Sequence, residues 1–159
     1  MQEQLDQENR IISQALSILG KRIKKDRQMF SSPATVKSFL ALKLGQKEHE
    51  VFGVMWLDVK NKLISCDELF TGSIAHCPVY PREVIKKGLQ CNAKSAIFFH
   101  NHPSGEPSPS AADIALTKEL YNSLKLVDIN VLDHIIVAGD STSAFTEYTY
   151  MSDIASGLL

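Results

Sequence analysis

A chain of 159 residues with 44% hydrophobic and 22% charged residues has the make-up of one ordinary globular domain, which excludes a disordered or fibrous protein. Its net charge of −1 gives no molecule-wide attraction to nucleic acid or to an anionic membrane. No apolar run approaches the roughly 18 residues that span a bilayer, and the acidic start Met1-Gln2-Glu3-Gln4-Leu5-Asp6 is unlike a secretory signal, so the expected setting is cytoplasmic and away from membranes.

In chain order, residues 4–26 read as a helix, because Leu5, Ile12, Ala15, Leu16 and Leu19 recur at three- and four-residue steps. Its end carries Lys21, Arg22, Lys24, Lys25 and Arg27. Two readings stand for this basic run: a patch for nucleic acid or a partner, or a solvated helix end whose cations complement the dipole. Ser32 and Pro33 can start a second helix that stops at Gly45. Residues 1–45 thus form a helical preface, and residues 46–159 the domain proper.

From Glu50 the pattern turns to β. Residues 51–58 and a run beginning Leu63-Ile64-Ser65-Cys66 predict two strands joined by a turn at Lys60-Asn61-Lys62, with a third short strand near Ser73-Ile74-Ala75. Pro81 opens a helix to about residue 93, with Val84, Ile85, Leu89 and Cys91 as candidate core positions. Ala96-Ile97-Phe98-Phe99 is a strand buried on both faces and ending at His100. Residues 101–109 form a loop of Pro, Gly and Ser, and a helix follows to about residue 126, with Ile114, Leu116, Leu120 and Leu124 inward. Residues 131–137 predict another strand and residues 144–148 a last one, while 152–159 carry no signal. Interleaved strands and helices give an α/β class with a mixed sheet. Cys66, Cys77 and Cys91 form no CxxC pair and read as reduced, structural thiols.

The chemistry is concentrated in residues 100–113, His-Asn-His-Pro-Ser-Gly-Glu-Pro-Ser-Pro-Ser-Ala-Ala-Asp. His100 and His102 stand at i and i+2 where a strand ends, so their imidazoles point to the same side and can meet one ion. Asp113, just past the loop, can supply a third ligand. Two nitrogens and one oxygen suit Zn2+, and three protein ligands leave a fourth position for water, as in a catalytic site. Zinc lowers the pKa of such a water towards about 7. Ser110 is near enough to offer a hydroxyl. Equally, Ser110-x-x-Asp113 before an apolar run is a helix capping box.

His-x-His, seven residues, Ser, two residues, Asp resembles the JAMM motif of JAB/MPN metalloproteases, and the flanking residues resemble the bacterial RadC-like branch. The resemblance is carried by Glu50-Val51-Phe52, Leu57-Asp58, Gly72-Ser73, Pro81-Arg82-Glu83-Val84, Asn92-Ala93, His100 to Gly105, Pro109-Ser110-x-x-Asp113 and Asp133-His134-Ile135-Ile136-Val137. It covers roughly residues 35–150. It implies a three-layer α/β/α fold like that of cytidine deaminases, and zinc held by His100, His102 and Asp113. It makes Glu50 the general acid/base, and gives Ser110 the task of holding the water or stabilising the oxyanion. It implies hydrolysis of a peptide or isopeptide bond in a peptide or protein substrate.

Longer RadC proteins carry a helix-hairpin-helix region that is not found here, so their DNA-repair label transfers poorly. His76 and Cys77 stand where small polar residues are expected, and read either as a modified pocket wall or as a surface substitution. His134 reads either as a group that lines the cleft or hydrogen-bonds to a ligand carboxylate, or as a core histidine. The alternative function is a non-catalytic, DNA-associated or protein-binding module acting through residues 21–27. A zinc deaminase, the third reading from the shared fold, is disfavoured, because His-x-Glu and Pro-Cys-x-x-Cys are both absent. The letters His100-Asn101-His102 do not make an HNH nuclease.

Overall fold

The computed structural model describes residues 1–25, 32–73 and 76–159, with side chains up to Arg22 in the first segment. Five strands make one mixed sheet. β1 (Val51–Leu57) is central and pairs antiparallel with β2 (Leu63–Thr71) on one side and β3 (Ser95–Asn101) on the other. β3 pairs parallel with β4 (Asn130–Ala138), and β4 antiparallel with β5 (Ser141–Ala144), giving the order β2-β1-β3-β4-β5. A parallel neighbour requires a crossover, and α4 (Ala111–Lys125) supplies it.

β1 and β3 are nearly all buried because helices cover both faces of the sheet. On one face Phe52, Val54, Trp56, Ala96, Phe98 and Ile136 pack against α3 (Pro81–Gln90), α4 and α5 (Tyr150–Ser156). On the other, Val51, Met55, Phe99, Ile135 and Val137 meet α2 (Pro33–Leu44), with Leu16 and Leu19 of α1 (Gln2–Lys25) beside them. The expected three-layer α/β/α arrangement is therefore present. Among the described residues, no helix is long and apolar enough to cross a membrane.

Several expectations need correction. Leu5 is exposed, because α1 is only partly buried, and that from Ile12 onward. Ser32 stands at the start of α2 without a side-chain cap, and Pro33 alone marks the entry. Leu89 is exposed and Gly88 buried in its stead, on the helix face shared with Val84; a Cβ at 88 would lie 2.8 Å from Ile129 Cδ1 and 2.9 Å from the Trp56 ring, so only glycine lets that face come so close. The strand expected at 144–148 is the end of β5 followed by a 3-10 turn, Phe145–Tyr148. There Glu147 accepts from Ala144 N (2.9 Å) and Asp133 accepts from Thr146 N and Oγ1, side-chain bonds that replace a ladder. The final residues form α5, on which Met151 and Ile154 are buried. Ser73 is not in a strand, and Ile74 and Ala75 lie outside the described residues.

Candidate metal centre

The β1–β3 register fixes what meets at the site. Phe52 is opposite His100, and continuing that antiparallel register by two residues sets Glu50 opposite His102. Alternation puts Glu50, Phe52 and Val54 on the α3/α4 face, together with Phe98, His100 and His102. His102 N–H donates to Val137 O (2.8 Å), which carries the parallel pairing one residue beyond β3. The chain then turns at Gly105, whose φ of +84° is the left-handed conformation that glycine tolerates. Gly105 N–H donates to His102 O (3.1 Å), and the turn brings Glu106 O to His102 Nδ1 at 2.7 Å.

At the start of α4 the two readings of Ser110 and Asp113 turn out to be one structure. Ser110 Oγ accepts from Asp113 N–H (3.1 Å), while Asp113 Oδ2 accepts from Ser110 N–H (2.7 Å) and Oγ–H (2.6 Å). This is a capping box, and the box is what aims the carboxylate. Asp113 Oδ1 lies 3.2 Å from His100 Nε2, and Oδ2 3.3 Å from His102 Nε2. The two Nε2 atoms are 2.8 Å apart.

Three acceptor-capable atoms converging in a half-buried place repel one another unless a cation sits among them. A carbonyl only accepts, so the Glu106 O contact puts a proton on His102 Nδ1 and leaves Nε2 for the cluster. One available cation is a proton. The Asp113 carboxylate raises the His102 pKa above its ordinary value, and the Glu106 carbonyl adds to this against the effect of burial. Burial alone would push the Asp113 carboxyl up, but the neighbouring His100 and His102 rings and the Ser110 hydroxyl outweigh it and hold the group far below the usual range. The other available cation is a metal. Among the described residues, His100, His102 and Asp113 form a cluster whose ligand atoms all lie within 4.8 Å of one another. Their N, N, O set and their separations approach the about 3.3 Å between two ligands of one tetrahedral zinc with bonds near 2.0 Å. The donor set fits the ion.

A cavity of about 450 Å³ opens over the cluster, lined by Glu50, His76, His102, Pro103, Ser110 and Asp113. All five expected site residues thus belong to one place: four at the cavity, with His100 buried beneath it. Glu50 is held by its backbone, donating to Ser73 O (2.9 Å) and accepting from Gly72 N–H (2.8 Å). His76 lines the cavity, whereas Cys77 is buried in the core. His134 is fully buried, with Nε2 2.8 Å from His100 Nδ1.

Two residues escaped the sequence reading. Asn101, between the two ligand histidines, faces the other way and is buried. It accepts from Val51 N–H (2.8 Å) and donates to His49 O (2.9 Å) and Lys47 O (3.3 Å), clamping the segment that carries Glu50. Its one signal was a polar residue at the end of a strand with an apolar middle. Thr117, one helical turn after Asp113, is also fully buried; nothing in its spacing distinguished it from a helix-surface threonine.

The chain matches the RadC-like JAB domain over residues 30–150. It is 50% identical over 121 residues to a UPF0758 protein of Janthinobacterium sp. (strain Marseille), covering 76% of this chain and 54% of the relative. Against a UPF0758 protein of Herminiimonas arsenicoxydans it is 51% identical over 117 residues, 74% of this chain and 52% of the relative. A UPF0758 protein of Vibrio cholerae is 45% identical over 145 residues, 91% of each chain. The chain thus spans about half the length of the first two relatives and most of the third.

Proposed function

This chain belongs to the RadC-like JAB domain family, and from that premise we propose that it is a zinc-dependent hydrolase of the metallopeptidase or isopeptidase type. The observation that carries the reading is the convergence of His100, His102 and Asp113 beneath a cavity that also holds Glu50 and Ser110. His100, His102 and Asp113 would hold the ion, which when bound acidifies water and polarises a carbonyl.

The remaining chemistry falls to the chain itself. Glu50 takes the proton from the attacking water and returns it to the leaving amine, so one carboxylate serves as base and then acid. Its backbone bonds to Gly72 and Ser73 hold the main chain of Glu50 at the cavity that His102 and Asp113 also line. Ser110 aims Asp113 through the capping box, and its hydroxyl, turned from Asp113 Oδ2 towards the cavity, would donate to a developing oxyanion. A polymeric substrate is favoured by a second depression of about 380 Å³, which includes Lys47, Gly105 and Gly139 and meets the first at His102 and Pro103. An extended peptide crossing the ligands would touch both.

A cytoplasmic setting accords with the free thiols, among them Cys66, which burial pushes up to about 12. The binding-module alternative rests on residues 21–27; Lys21 and Arg22 are exposed, and the side chains of the rest lie outside the described residues. Nothing at the site favours it.

Elemental analysis of untagged protein tests the reading, with about one zinc per chain expected and none in His100→Ala/His102→Ala. Glu50→Gln should keep the ion and lose turnover of a peptide or isopeptide substrate by a factor of at least about 10². Full turnover in Glu50→Gln would remove the role given to Glu50, and a wild-type chain that takes up no zinc would remove the hydrolase.

A further inference from the structure

His134 has no business in an apolar core unless both its nitrogens are satisfied. Its ring stacks on Phe145 (centroids 4.7 Å apart) and meets the edges of Phe52 (5.8 Å) and Phe98 (5.7 Å), and it is 0% exposed. Both nitrogens are bonded: Nε2 to His100 Nδ1 at 2.8 Å and Nδ1 to Thr117 Oγ1 at 2.6 Å.

The direction of these bonds follows from one carbonyl. Thr117 Oγ1 is 2.6 Å from Asp113 O, four residues back on the same helix. A carbonyl cannot donate, so the threonine spends its only proton there. Its oxygen must then accept from His134 Nδ1–H. A neutral imidazole has one N–H, so His134 Nε2 is an acceptor, and His100 must donate to it from Nδ1. His100 Nε2 is left with its lone pair pointing at His102 and Asp113.

We infer that His134 and Thr117 are positioning residues that fix the proton of His100 on Nδ1 and so hold its Nε2 open as a metal ligand. The relay begins at the backbone of one ligand, Asp113, and ends at the ring of another, His100, tying the first turn of α4 to the end of β3 through the core. His102 gets the same orientation more simply, from the Glu106 carbonyl in the loop. Each imidazole is thus oriented by a bond on its far nitrogen, one from the protein interior and one from the surface. The purpose of the relay rests on the metal reading, but its bond directions stand on the hydrogen-bond geometry alone.

The test has two readouts. At alkaline pH, where neither ring is charged, nitrogen NMR of the metal-free protein should find the His100 proton on Nδ1. It should lose that preference in His134→Phe and regain it in His134→Gln, whose amide can accept from His100 and donate to Thr117. Zinc titration should then show roughly 10–100-fold weaker binding in His134→Phe and recovery of most of the loss in His134→Gln. Phe keeps the aromatic packing, so the metal-free melting temperature should not fall in step with affinity. If His134→Phe does not fold, Thr117→Val removes the hydroxyl at nearly constant volume and should also blur the His100 proton and weaken zinc. A His100 proton on Nε2 in the wild type, or equal zinc affinity in wild type and the folded variant, overturns the relay. A wild type without zinc would overturn the metal reading, and the NMR result would still decide the relay.

Discussion

At His102 a proton and a metal ion compete for one lone pair, and this sets how the protein responds to pH. The folded pKa of His102 is raised above its ordinary 6.5, mainly by the Asp113 carboxylate. The stability it adds is therefore complete below about 6.5 and is lost as pH rises through the folded value. The folded pKa of Asp113 is depressed below its ordinary 3.8. Its contribution is present above about 3.9 and is lost as pH falls through the folded value. His134, whose burial holds its pKa well below the ordinary 6.5, adds the opposite slope on the acid side, because its contribution is lost as pH falls below about 6.5. The alkaline limb is the one His102 sets, and the melting temperature of the metal-free protein should decline from about pH 6.5 to pH 9. In His102→Gln that decline should flatten. Zinc needs the unprotonated ring, so its affinity should rise over the same interval in which the metal-free protein weakens. Zinc titrations at the two ends check this, and equal affinity at both would show that His102 is not a ligand.

At the scale of elements, the site is a junction: the end of β3, the residues before β1 and the first turn of α4. Each part carries its own fastening. The capping box secures α4, the continued pairing of His102 with Val137 extends β3, and Asn101 holds the segment from Lys47 to Val51. Asn101 is 2% exposed, and Ala at this position would leave a buried N–H and two carbonyls without their partners. Asn101→Ala should therefore cost about 1–3 kcal/mol in denaturant unfolding. Because Asn101 faces away from the ligands, zinc affinity should stay within a few-fold while turnover falls with the displaced Glu50. Loss of zinc in Asn101→Ala would instead mean that Asn101 supports the histidines.

For the whole molecule, two apolar cores are divided by the sheet, and the metal cluster lies at the rim of the core formed with α3 and α4. An ion there would link β3 to α4 only in the folded chain, since the three ligands have no fixed geometry once unfolded. Free zinc at 100 times its dissociation constant should add about 2.7 kcal/mol, or roughly 5–11 °C in melting temperature for a chain of this size. A thermal melt with zinc and with a chelator reads this directly. His102→Ala should show no such shift, and a wild-type melting temperature indifferent to zinc would argue against a bound ion.

The sequence by itself determined the α/β class, most of the elements and the cluster of ligands. Apolar periodicity marks buried strands and helix faces wherever burial is the main force, as at Phe98 and Phe99, and two histidines at i and i+2 on an extended chain must share a side. The resemblance singled out Glu50, which no local pattern distinguishes from the other acids. Tertiary structure decided the rest, because it depended on contacts between distant segments. That Gly88 rather than Leu89 faces the core shows only in the packing, where Trp56 and Ile129 lie where a Cβ at 88 would be. The 144–148 segment became a turn only because Asp133 and Glu147 reach its backbone. Asn101 and Thr117 looked like ordinary polar residues until the fold buried them and gave each a complete set of partners. His134 could be a core histidine or a neighbour of a ligand on sequence grounds. It is a core histidine, and its bond goes to the His100 ring rather than to a carboxylate, because its place on β4 beside β3 sets its ring against His100 within a core of phenylalanines.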